Sequence, residues 1–338
     1  NAGSAQCETC PAGKFSASGA GACTACTAGK YQDSPGQASC TNCGAGSVSA
    51  AGAMSCTQCE KGTYAADPGM ATCTPCAEGK VNSKVGSSYC SQCSPGRYAA
   101  GTGNTLCDVC SAGFVTARGM GSCYMCPGGK YSTSDLSITS SSSADFCLDC
   151  TAGKYSNDAS TICTECQTGE YSSAGAPSCT SCEAGKYNPT VASPACSTCS
   201  PGKYSGIGKT ACSDCDAGKY VTSAGAASCL SCPAGTFAPL VGRAQECDKC
   251  PVNSFASGTG NAQCSPCDAG HSSVIGSASC LMCTPGKYAH GTGICDDCES
   301  GKYSAEKATM CISCDRGEYS GPAAASCTAC SPGKYQDA

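Results

Sequence analysis

The stretch Cys196-Ser-Thr-Cys199-Ser-Pro-Gly-Lys-Tyr204-Ser-Gly-Ile-Gly208-Lys-Thr-Ala-Cys212-Ser-Asp-Cys215 decides the fold, because the chain repeats it from end to end. All 40 cysteines fall into twenty Cys-x-x-Cys pairs, from Cys7/Cys10 to Cys327/Cys330, and successive pairs start 15 to 18 residues apart. One step is longer: 24 residues separate Cys123 from Cys147, and the addition is a Ser-rich insert around Ser137 to Ser143. Self-similarity at a fixed short period marks a repeat architecture. Residues 1–338 therefore read as one continuous array, with the long unit at 123–150 and both ends falling inside a repeat.

Positions inside the unit have distinct roles. Three residues after the second Cys stands Gly in nineteen of twenty units, as at Gly13, Gly29, Gly96, Gly202, Gly286 and Gly333; Asn253 is the sole replacement. Asn tolerates positive φ best after Gly. Pro95-Gly96, Pro201-Gly202, Pro285-Gly286 and Pro332-Gly333 spell a type II turn. Two residues on comes an aromatic in sixteen units. Its instances include Phe15, Tyr31, Tyr64, Tyr98, Tyr131, Tyr155, Tyr171, Tyr187, Tyr204, Tyr220, Tyr288, Tyr303, Tyr319 and Tyr335. A ring laid against a disulfide is the expected main packing contact of so small a unit. The position before it is Lys or Arg in twelve units, with Val81 in place of the ring in one of them, which fits a short extended segment with ring and cation on opposite faces. A second Gly recurs four residues before the first Cys of fourteen pairs. Each stretch between pairs thus predicts a miniature hairpin: turn, strand with the aromatic, bend, and a return strand leading into the next Cys.

Composition bounds the rest. Cysteine at this density implies a disulfide scaffold in an oxidising compartment. Trp is absent and Phe numbers five, so a conventional apolar core cannot be assembled; covalent staples must carry the order. No 3.6-residue apolar period appears, so helix is minimal. A net charge of −5 without clustered Lys and Arg argues against nucleic acid. No apolar run approaches the roughly 20 residues of a membrane span. His271 and His290 are the only histidines, each in an ordinary unit, and no catalytic constellation forms around them. Neither an enzyme nor a cofactor is expected. Paired Cys-x-x-Cys is also zinc spacing. Twenty copies in a Ser-, Gly- and Ala-rich chain suit disulfides better. The Lys positions suit solvated cations balanced by nearby carboxylates better than an anionic-glycan site. No Asn-x-Ser/Thr acceptor exists, leaving O-linked glycan as the expected modification.

Sequence alone leaves disulfide connectivity open. The simplest rule treating all units alike joins the second Cys of one pair to the first of the next. That rule gives Cys10–Cys23, Cys26–Cys40, Cys43–Cys56, Cys59–Cys73, Cys76–Cys90, Cys93–Cys107, Cys110–Cys123, Cys126–Cys147, Cys150–Cys163 and Cys166–Cys179. It continues with Cys182–Cys196, Cys199–Cys212, Cys215–Cys229, Cys232–Cys247, Cys250–Cys264, Cys267–Cys280, Cys283–Cys295, Cys298–Cys311 and Cys314–Cys327. Cys7 and Cys330 are left over, for a neighbouring repeat or subunit.

The run Cys-x-x-Cys-x-x-Gly-Lys-Tyr, as at Cys199-Ser-Pro-Gly-Lys-Tyr204 and, with Phe, Cys10-Pro-Ala-Gly-Lys-Phe15, resembles the ephrin-receptor-like cysteine-rich repeat. The unit is also similar to the smallest single-disulfide module of tumour-necrosis-factor-receptor ectodomains, and that likeness supports the pairing rule. The resemblance implies receptors, giant surface proteins, protist surface antigens or flagellar-hair (mastigoneme) components. The expectation is a fold of small disulfide-rich repeats, an elongated rod or solenoid of about twenty short β-hairpin hoops. Its expected function is structural: an extracellular or cell-surface rod, stalk or filament that self-associates or joins other filament proteins. A ligand-binding receptor or surface-antigen ectodomain is the second reading, with the long unit 123–150 and the units at Asn253 and Ser272 as its candidate divergent units.

Overall fold

The computed structural model of the chain describes residues 6–132 and 147–335. The Ser-rich insert, beyond Ser132, lies outside the described residues. Among those described there is no helix, and nineteen antiparallel hairpins make up the regular structure. Nearly all strands are two residues long; Lys287–Ala289 and Cys295–Asp297 have three. Each hairpin belongs to a hoop closed by one disulfide, numbered here in chain order from hoop 1 (10–23) to hoop 19 (314–327). Cα–Cα separations across the bridges run from 5.5 Å at Cys283–Cys295 to 5.9 Å at Cys110–Cys123. The chain divides into two compact units, Asn1–Glu165 with Ser173–Ser178, and Cys166–Ser172 with Cys179–Ala338. The same hoop pattern builds each.

The first turn follows directly from its sequence. The Lys14 N–H donates to Pro11 O at 3.1 Å, and Gly13, in the third position, has φ of 83°, the geometry of a type II turn. With Pro95 in the second position the bond recurs, from the Arg97 N–H to Ser94 O at 3.0 Å. The bend is left-handed too, at Gly19 (φ 79°) and its equivalents. Where glycine is missing the backbone does not change: Ala159, Ala192, Lys307 and Ala323 hold the bend at φ 54–61°.

The return strand is not where the sequence places it. In hoop 1, Lys14 pairs with Ala25 and Phe15 with Thr24, so the return strand is the pair of residues inside Cys23-x-x-Cys26. The register explains this. The ladder begins immediately after the turn, and the Cys26 N–H closes it on Gly13 O at 3.0 Å. Cys26 must therefore sit opposite Gly13, which draws the intervening dipeptide into the strand. Those two residues are exposed in hoop after hoop, and the apparent joint between repeats is a structural element.

The core is narrow. The second Cys is buried in seventeen of the twenty pairs, with Cys43, Cys59, Cys76 and Cys126 at 0 % exposure; Cys267, Cys314 and Cys330 are half-buried. Beside it lies the residue after the aromatic: Ser49, Ala65, Asn82, Ala99, Thr116, Ser156, Asn188, Ser205 and Val221 are all buried. The rings themselves, from Phe15 to Tyr303, are half-buried, and Tyr319 and Tyr335 are exposed. The expected ring-on-disulfide core is thus displaced by one position. In an extended segment, alternate side chains face opposite ways, and the inward face belongs to the residue following the ring.

Candidate functional site

The densest recurring chemistry is at the junctions between hoops. Between hoops 11 and 12, the turn Gly185 N–H donates to Ser205 O at 2.8 Å, and the Asn188 N–H donates to Lys209 O at 3.1 Å. The bend Gly208 N–H then donates back to Cys182 O at 2.8 Å. From hoop 10 to hoop 19, eight of the nine junctions make all three of these links. Buried polar backbone is thereby paired across hoops rather than within them.

A side-chain link reinforces the three. The Ser205 hydroxyl donates to Lys186 O of the preceding hoop at 2.9 Å, and Ser49 does the same to Lys30 O at 2.9 Å. Asn82 and Asn188 replace the hydroxyl with an amide, donating to Thr63 O and Glu170 O at 2.7 and 2.6 Å. The chemistry explains the small polar residues at this buried position. A donor on a one- or two-carbon stem reaches the neighbouring carbonyl.

Contact extends one hoop further. A Cβ on Gly29 of hoop 2 would overlap the Gly69 carbonyl of hoop 4, and one on Gly202 of hoop 12 would overlap the Gly242 carbonyl of hoop 14. The turn glycine therefore satisfies two demands at once: a positive φ, and a Cα bare enough for a carbonyl two hoops away to rest on it. Gly13, Gly29, Gly202 and Gly286 are all buried at this contact, and Gly96 is buried too, whereas Gly333 is exposed. Tyr31, Tyr155, Tyr204, Tyr288 and Tyr303 add isolated parallel bridges to Ala53, Ala176, Ala226, Ala308 and Ala324 of the following hoop.

On the outer face, seven cations of the Lys row have acidic partners. Lys130, Lys154, Lys203 and Lys287 pair across the hairpin with Asp149, Glu165, Asp214 and Asp297. Lys186, Lys219 and Lys302 instead take Glu183, Asp216 and Glu299 from the turn three residues back. The Glu183 carboxylate, hydrogen-bonded to Lys186 and close to it in charge, holds that ammonium above its ordinary pKa. These are exposed pairs, screened by solvent, and contribute little to stability.

The structure joins thirty-eight cysteines into the nineteen hoop-closing bridges running from Cys10–Cys23 to Cys314–Cys327, and leaves Cys7 and Cys330 free among the described residues. No group of three or more His, Cys, Asp or Glu gathers as a metal site among the described residues. The two histidines are not brought together by a catalytic partner: His271 faces Ala269 O at 3.2 Å, and His290 lies edge-on to Tyr288 at 5.6 Å. Asn253 keeps the turn at φ 56°, with its Oδ1 buried and without a hydrogen-bond partner. Ser272 is buried in its aromatic position.

Two functional positions escaped sequence reasoning. The exposed return-strand dipeptide looks like a linker, and the buried residue after the ring is Ser or Ala, types abundant everywhere in this chain. A signal for the second does exist: across the twenty units that position holds only Ser, Ala, Asn, Gln, Thr or Val.

Comparison with known families places three segments, 13–49, 46–89 and 202–243, under the model described as tyrosine-protein kinase ephrin type A/B receptor-like. These segments carry ephrin-receptor-like cysteine-rich repeats, and their disulfide density fits an extracellular domain. No curated protein matches the chain. No helix among the described residues is long and apolar enough to cross a membrane.

Proposed function

We propose that this chain is a structural element of the extracellular space, a stiff rod, stalk or filament section on a cell surface or appendage. Residues 1–338 act in this reading as one uninterrupted array. The observation that carries it is the junction geometry: three main-chain bonds at eight of the nine steps from hoop 10 to hoop 19 and a glycine-gated contact two hoops away. Hoops coupled to both first and second neighbours resist bending at any one step, as stacked repeats do. Cys7 and Cys330 serve neighbouring repeats or subunits, and partners are further copies or other filament proteins, with O-linked glycan on the Ser- and Thr-rich exterior.

Small-angle scattering and electron microscopy of the purified chain test this. An elongated particle of uniform width, with a persistence length well above one hoop, is expected. A freely flexible chain would sink the proposal.

A further inference from the structure

One hoop is short, and the hoop before it bears the consequence. The cysteines of hoop 17 (283–295) are 12 residues apart, against 13 in hoops 16 and 18 on either side. Its hairpin is also longer, with Lys287–Ala289 paired to Cys295–Asp297, so less chain remains for a bend. In the flanking hoops the bend of the next hoop closes over the second cysteine. The Gly276 N–H donates to Cys250 O at 2.8 Å, and the Lys307 N–H donates to Cys283 O at 3.0 Å. Among the described residues, no amide of hoop 17 returns to Cys267 O in this way. Cys267 is half-buried as a result, while Cys250 and Cys283, under their bends, are at 0 % exposure. Every other second cysteine of hoops 1–18 is buried.

Other features of hoop 16 are ordinary. A Cβ on Gly270 would overlap the Lys307 carbonyl, so the contact two hoops away is kept. The group beside the sulfur is also shared: Cys267 Sγ lies 3.4 Å from Ser273 Oγ, and the fully buried Cys199 has its Sγ 3.3 Å from Ser205 Oγ. What distinguishes the bridge Cys267–Cys280 is the access of water to its second cysteine. That access bears on exchange with thiols. The first cysteine of all nineteen bridges is half-buried, so an attacking thiolate reaches that sulfur along the whole array. The sulfur it expels belongs to the second cysteine. A thiolate expelled into a buried, unsolvated place is a poor leaving group, because burial raises the thiol pKa. Only at Cys267, within hoops 1–18, is the departing sulfur on a residue that water reaches.

We propose that Cys267–Cys280 is a thiol–disulfide exchange site, the bridge that a dithiol reductant opens ahead of every other in hoops 1–18. One thiolate of the dithiol attacks Cys280 Sγ and forms a mixed disulfide. The Cys267–Cys280 bond breaks, and Cys267 leaves with the electron pair and takes a proton from water. The second thiol of the reductant, deprotonated, then attacks the reductant's own sulfur in the mixed disulfide and expels Cys280, which is protonated in turn. The chain gains two electrons and two protons, and the reductant ends as a disulfide. A bend shortened in one hoop thus concentrates redox sensitivity in the hoop before it. A structural role for the array does not depend on this site, nor the site on that role.

The test uses the intact chain, with dithiothreitol as the dithiol. Cys7 and Cys330 are first capped with N-ethylmaleimide. The capped chain is then reduced for increasing times, and new thiols are trapped with deuterated maleimide and located by peptide mass spectrometry. Cys267 and Cys280 should take the label about tenfold faster than Cys199 and Cys212, or Cys250 and Cys264. A second chain has residues 289–294 replaced by the sequence of 304–310, which gives hoop 17 the bend of hoop 18. There the rate at Cys267–Cys280 should fall to that of its neighbours. A non-reducing peptide map with the same nineteen bridges establishes that this variant is folded. Equal rates at the three bridges of the parent chain, or earlier opening of any other bridge in hoops 1–18, would overturn the proposal. So would undiminished early opening of Cys267–Cys280 in the folded variant, since the short bend would then not be its cause.

Discussion

Substituting Ala at two glycines of nearly equal φ separates backbone strain from contact between hoops. Gly19 (φ 79°) has nothing within 4 Å of where a Cβ would stand, while at Gly29 (φ 88°) a Cβ would overlap the Gly69 carbonyl two hoops away. Both substitutions place Ala in the left-handed region, at about 1–2 kcal/mol. Gly29→Ala must also push hoops 2 and 4 apart. The backbone on that contact is held by the links of the 2–3 junction: the Gly29 N–H to Ser49 O, the Gln32 N–H to Ala53 O and the Gly52 N–H to Cys26 O. At about 1 kcal/mol net for each hydrogen bond, losing three adds about 3 kcal/mol, and at 1.4 kcal/mol per factor of ten this is roughly 100-fold. Native-state hydrogen exchange reads it directly. The amides of Gly29, Gln32 and Gly52 should exchange about 100-fold faster in Gly29→Ala than in Gly19→Ala. Those of Gly202, Ser205 and Gly225, in distant hoops, should be unchanged in both. Equal acceleration in the two variants would show that the turn glycine is required for φ alone, and that the contact between second neighbours holds nothing.

Four further outcomes follow from the same geometry. Ser205→Ala removes a buried hydroxyl donor from Lys186 O, at about 1 kcal/mol, so the Gly185 amide, bonded to Ser205 O, should exchange about fivefold faster. Ser205→Leu should cost about 1–3 kcal/mol more by overpacking. Lys307→Gly relieves a non-glycine bend at φ 61° and, net of added chain entropy, should stabilise by about 0.5 kcal/mol, read as slower exchange of the residue 307 amide against Cys283 O. Finally, carbon-13 NMR of the dimethylated protein should place Lys186 above the ordinary lysine range, and Glu183→Gln should return it there. Because the folded-state value is raised, the pair's support of the fold is present at neutral pH and lost as pH climbs through the folded pKa. A Lys186 unaffected by Glu183→Gln would show that the ion pair is not populated.

The parts of the fold legible in the sequence are those encoded within one unit. The period of the Cys-x-x-Cys pairs, the Gly after Pro95 or Pro201, and the alternation of cation and ring each specify local backbone, and the hairpin with one disulfide per hoop emerges from them. What was hidden depends on partners elsewhere in the chain. Gly29 and Gly69 are forty residues apart, and no local pattern reports that one rests on the other. The return strand was masked because Thr24-Ala25 and its counterparts have neither alternation nor apolar character; only the register against Lys14 and Phe15 makes them a strand. Ala159 and Lys307 hide the bend for a related reason: the surrounding links impose a conformation that the side chain alone would not choose.

The placement of the bridges also determines how the chain would carry a pulling force. Each disulfide short-circuits its hoop, so tension passes along only the Cys-x-x-Cys residues and then through sulfur to the next pair. Three backbone steps of about 3.5 Å span the dipeptide, and the bridge Cys199–Cys212 adds its 5.8 Å Cα–Cα separation. A fully stretched repeat is therefore about 16 Å long, against about 55 Å for sixteen unbridged residues. Even with every inter-hoop link sheared the array would stop lengthening early and abruptly. Its breaking strength would then pass from hydrogen bonds to covalent bonds, and a reducing agent would release the hidden length, more than two-thirds of the whole contour.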